Sequence, residues 1–152
     1  MMNQHKLFPV FCFLSILAIG LTCKSEEPPR KNLPIAGEVF LIEEQTAFLI
    51  LPADTETDEP IPWVWYAPTL PRLPGEHETW MFEKFLDAGI AIAGIDVGES
   101  YGSPEGCAAY SALYGELVKN RGLSPKACLL ARSRGGLMLY NWAVENPESV
   151  AC

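Results

Sequence analysis

Ser133 stands in the run Leu129-Leu130-Ala131-Arg132-Ser133-Arg134-Gly135-Gly136, with an apolar stretch before it and a helix-like pattern after it. A serine on a tight turn between a strand and a helix holds its hydroxyl clear of the backbone, and the next backbone N–H lies at the positive end of the helix. That placement suits nucleophilic attack on a carbonyl, with backbone amides holding the oxyanion that develops. The competing reading is helix capping, in which the Ser133 side chain satisfies a free amide of the first turn.

A nucleophilic serine needs a general base within hydrogen-bond reach. The chain has two histidines, His5 and His77. His77, among Glu76, Glu78 and Thr79, reads as an exposed residue at a helix end rather than as that base. Arg132 and Arg134 flank the serine and could grip a substrate carboxylate or bond to neighbouring loops. The same Arg-Ser-Arg-Gly-Gly run at a helix N-terminus also fits an anion site with no chemistry.

The elements that must carry this turn follow from periodicity. Two short apolar runs, 38–42 and 47–51, read as an antiparallel hairpin, and the acidic, proline-bounded stretch 53–62 as a surface loop. Trp63-Val64-Trp65-Tyr66 reads as a strand stopped by Pro68, which cannot donate to a ladder. Residues 76–88 repeat aromatic and leucine side chains at helical spacing up to Gly89. The continuous apolar run 90–95 before Asp96 is that of a strand covered on both faces.

A glycine-rich turn leads to a helix over 107–121, then a strand over 127–131, a helix over 135–145, and the start of another strand at 149–152. Strands alternating with helices give an α/β fold with a doubly wound, mostly parallel sheet. Asp96 reads as an acid at a strand end bonded to nearby backbone groups, and Glu99 and Ser100 as the mouth of a pocket or a solvated turn.

This pattern resembles the N-terminal half of an α/β hydrolase over about residues 36–152. The elbow of that family is GxSxG; here Ala131 stands for the first glycine and Gly135 keeps the second. The turn Asp96-Val97-Gly98-Glu99-Ser100-Tyr101-Gly102 resembles the acidic, glycine-rich turn after the fourth strand of the family. Trp65-Tyr66-Ala67-Pro68-Thr69-Leu70 stands where the family places its second oxyanion donor.

The resemblance implies Ser133 as the nucleophile, with the N–H groups of Arg134 and Thr69 as the oxyanion hole, and hydrolysis of an ester or peptide through an acyl-enzyme. Ala67-Pro68 departs from the His-Gly that usually precedes the second donor. The catalytic acid and histidine follow later strands in the family, beyond Cys152 here. The expectation is therefore a serine hydrolase truncated after the elbow helix and inactive as this chain, acting on a small-molecule or peptide ester or amide only when completed. The rival class is a non-catalytic envelope or binding protein on the same scaffold.

Composition bounds the partners. A formal net charge of −8, with Lys6 the one charged side chain in the first 22 residues, leaves −9 on the remainder and no basic stripe for nucleic acid. Lys6, an apolar run over 7–21 and Lys24-Ser25-Glu26-Glu27 read as a signal peptide over 1–22, hence an exported chain, periplasmic or secreted. Residues 23–35, with three prolines, read as an extended tether, and the leader or a lipid on Cys23 could anchor the chain to a membrane. Five cysteines without CxxC spacing give no metal cage, and no cofactor is implied. In an oxidising compartment two of Cys107, Cys128 and Cys152 could pair, and the sequence leaves open which.

Overall fold

The computed structural model describes residues 29–55 and 59–152. The leader and Cys23 lie outside the described residues. Strands β1 (Glu38–Ile42) and β2 (Gln45–Ile50) form the expected hairpin, turned at Glu43 with φ 56°. Then come β3 (Trp63–Ala67), helix α1 (Thr79–Asp87) entered through a short 3-10 turn at Glu76–Glu78, β4 (Ala91–Ile95), α2 (Pro104–Asn120), β5 (Cys128–Ala131) and α3 (Gly135–Glu145).

The sheet order is β1-β2-β4-β3-β5. β2 pairs antiparallel with both β1 and β4, and β3 pairs parallel with β4 and β5, so β2 alone runs against the other four strands. Beyond β5 the chain returns through a parallel bridge between Ala127 and Val150, extended by the Leu129 N–H donating to Cys152 O at 2.7 Å. The expected strand start at 149–152 is this strip.

The alternation of a strand sends its side chains to two faces, and both are covered. One face joins Trp63, Trp65, Ala93 and Ile95 to Tyr110, Leu113 and Leu117 of α2 and to Met138, Leu139 and Trp142 of α3. The other joins Phe48, Ile50, Val64, Tyr66 and Ile92 to Phe82 of α1. Burial on both faces explains why β3 and β4 read as unbroken apolar runs.

Two differences from the sequence reading have local causes. Helix α2 starts at Pro104, three residues early, because Ser103 caps it, accepting from the Gly106 N–H at 3.3 Å, and Pro104 suits the first helical position. The described part of the expected tether is packed: Leu33 and Ile35 lie against the second core cluster, and Lys31 is buried.

Candidate functional site

Ser133 occupies the three-residue turn between β5 and α3 with φ 52°, in the left-handed region. A residue with a Cβ pays roughly 1–2 kcal/mol for that conformation, so the surroundings must impose it. Three backbone bonds do part of this: the Arg132 N–H donates to Ala67 O at 2.7 Å, the Gly135 N–H to Arg132 O at 3.0 Å, and the Gly136 N–H to Ser133 O at 3.1 Å.

Ser133 is exposed. It does not cap α3, whose N-cap is Arg134 with no side-chain capping bond. The Arg134 N–H has no hydrogen-bond acceptor among the described residues, so an open donor follows the serine at the positive end of a helix.

The end of β3 lies directly against this turn. A Cβ built on Gly135 would overlap the carbonyl of Ala67 and the nitrogen of Pro68, so only glycine allows α3 to begin so close to the sheet. Thr69 sits further along, on the β4 side. It is 1% exposed, its hydroxyl donates to Tyr66 O at 3.3 Å, and it forms a parallel bridge with Asp96. The structure thus sets the β3 turn beside Ser133 but builds Thr69 into the sheet edge, and the Leu70 N–H is engaged with Leu73 O at 3.2 Å.

Both flanking arginines are engaged by carboxylates. Arg132 pairs with Glu78, whose side chain is 6% exposed and whose Oε2 also accepts the Gly75 N–H at 2.8 Å. Arg134 Nε pairs with Glu99 Oε2 at 2.6 Å, with both side chains half-exposed. Of the two readings open for the arginines, bonding to neighbouring loops is the one realised. Beside the first pair, the Tyr66 phenol is pushed up to about 12, chiefly by burial; Arg132 opposes the rise and Glu78 reinforces it.

Asp96 binds a lysine rather than backbone groups. Its Oδ2 accepts from Lys31 Nζ at 3.0 Å, and the same ammonium donates to Leu70 O at 2.8 Å. His77 is exposed and makes no hydrogen bond to Ser133 among the described residues. The described residues contain no group of three or more His, Cys, Asp or Glu side chains that could hold a metal, and no helix long and apolar enough to cross a membrane.

Sequence reasoning passed over Glu78 and Lys31. Glu78 sits in a charged run that reads as a solvated helix start, and Lys31 in a proline-rich stretch. Nothing local to either residue says that its partner lies 54 or 65 positions away.

No protein-family model and no curated protein matches the chain. Among solved structures it is similar to Est1E from Butyrivibrio proteoclasticus, with a TM-score of 0.58 and 15% identity over 75% of this chain and 47% of that one. Weaker likenesses are Cfl2 from Burkholderia cenocepacia (TM-score 0.49, 14% identity, 75% of this chain and 38% of that one) and Epoxide Hydrolase A from Mycobacterium thermoresistibile (TM-score 0.47, 22% identity, 76% and 37%). The chain spans about half the length of Est1E. The fold is α/β-hydrolase-like, a doubly wound and mostly parallel sheet, as the sequence pattern implies.

Proposed function

We propose that this chain carries the nucleophile of a serine hydrolase. The observation that carries the reading is Ser133 at φ 52° in an exposed turn between β5 and α3, followed by the unengaged N–H of Arg134. Ser133 Oγ attacks the carbonyl carbon of an ester or amide and loses its proton to a base. The Arg134 N–H stabilises the oxyanion, and collapse expels the alcohol or amine and leaves an acyl-serine that water hydrolyses. Thr69, buried and bridged to Asp96, stands on the β3 turn, and its N–H, which like that of Arg134 has no hydrogen-bond acceptor among the described residues, is the proposed second donor.

Among the described residues, no histidine or carboxylate is hydrogen-bonded to Ser133 as its base. We propose that the base and its acid partner belong to further strands and that a chain without them keeps only about 10³- to 10⁴-fold catalysis over water. Export is part of the same proposal. It is supported by the apolar leader and by a disulfide between Cys128 and Cys152, a bond that persists in oxidising compartments. An unprocessed N-terminus in the mass spectrum of the mature protein would argue against it.

A fluorophosphonate probe tests the central claim. The expected result, for a serine without its base, is a slow covalent adduct on Ser133, formed at high probe concentration, that disappears in Ser133→Ala. A folded wild-type chain that takes no label would favour the non-catalytic scaffold instead. That rival draws little support from the arginines, since each already has a carboxylate partner.

A further inference from the structure

We propose that Glu78 and Glu99 are positioning residues for Ser133, acting through Arg132 and Arg134 as a two-sided ionic clamp on the turn. The proposal rests on Ser133 being the nucleophile; the clamp itself stands on the ion pairs. A left-handed serine persists only when its surroundings over-determine it. Here α3 has no side-chain cap, and the backbone supplies three hydrogen bonds. The further restraints are the side chains on either side of the serine, and both reach acids on other elements: Glu78 in the turn entering α1, and Glu99 in the turn after β4.

The two arms differ in strength for a physical reason. Glu78 is buried, already fixed by the Gly75 N–H, and a buried carboxylate left without its cation is unfavourable, so Arg132 is held firmly. Glu99 and Arg134 are half-exposed, where water and salt weaken the attraction. Arg132 also donates its own N–H to Ala67 O, which ties this arm to the β3 end that Gly135 touches. Glu78 is therefore the dominant arm and Glu99 a trimming one.

The test uses the full chain as wild type, Glu78→Gln and Glu99→Gln. Two readouts are taken under native conditions: the rate of trypsin cleavage after Arg132 and Arg134, and the rate of fluorophosphonate labelling at Ser133. Glu78→Gln is expected to speed cleavage selectively at these two bonds and to slow labelling by about tenfold or more, as a displaced nucleophile would. Glu99→Gln is expected to change both by only about twofold, given the small worth of an exposed pair.

If Glu78→Gln does not fold, Arg132→Lys keeps the charge and the cleavage site while removing the planar fork, and the same selective changes are expected from it. Unchanged cleavage and labelling, or cleavage accelerated equally across the whole chain, would overturn the clamp. A wild type that takes no label, with selective cleavage in Glu78→Gln, would instead remove the nucleophile reading and leave the clamp standing.

Discussion

Gly135 lies against the carbonyl of Ala67 so closely that the space its missing side chain leaves is already occupied by the end of β3. The first turn of α3 and the last residue of β3 are thereby locked together, with Ser133 held on the turn just before them. Its neighbour Gly136 is different: a Cβ there would meet only the Ala131 Cβ, at 3.8 Å.

Gly135→Ala should therefore destabilise the fold by about 1–3 kcal/mol, the range for forcing extra atoms into a packed site. Gly136→Ala, on a helix with room to spare, should be neutral or stabilising by up to about 1 kcal/mol. Urea denaturation of the two variants checks the contrast, and equal effects would contradict the contact.

Ser133→Gly separates strain from chemistry. Glycine adopts φ 52° without the Cβ penalty, so the variant should gain up to about 1 kcal/mol of stability while losing fluorophosphonate labelling. A variant less stable than wild type would mean that the conformation is not strained.

Lys31 and Asp96 form a pair with side chains 2% and 24% exposed, whereas Lys84 and Asp87 on α1 are 59% and 69% exposed. Lys31→Met leaves Asp96 uncompensated and should cost about 3 kcal/mol or more, whereas Lys84→Met should cost less than about 1 kcal/mol. Thermal melts of the two variants decide whether residues 29–35 are a packed strap or a loose tether.

The Cys128–Cys152 disulfide, with a sequence separation of 24, closes the return strip onto β5. By chain entropy such a loop is worth about 3 kcal/mol. Reduction should lower the denaturation midpoint accordingly and expose two new thiols, with Cys107, free and buried, unreactive until unfolding. An unchanged midpoint on full reduction would contradict the bond.

Alkaline unfolding follows from the phenols. Tyr66 is raised to about 12, and Tyr110 is raised further, in both cases chiefly by burial. The unfolded chain ionises its tyrosines near 10, so these two contribute stability that is complete below pH 10 and lost as pH climbs towards 12. Ultraviolet titration should show that Tyr66 and Tyr110 ionise only as the fold is lost, read as the difference from Tyr66→Phe and Tyr110→Phe. Phenolate signal from either below pH 10 would contradict their burial.

What the sequence alone determined is local. The order of strands and helices, the span of α3 over residues 135–145, and the turn around Ser133 all rest on periodicity, caps and glycines within a few residues of each other. Tertiary structure decided what has no local signature: the placement of β4 between β2 and β3, the choice of Cys152 for Cys128, the burial of Lys31 under Asp96, and the acids that take up Arg132 and Arg134. Thr69 marks the boundary, since sequence order set it after β3 and only tertiary packing buried it and bridged it to Asp96. Contacts between residues far apart in the chain depend on how layers pack, and a glutamate in a charged run carries no sign of which arginine will reach it.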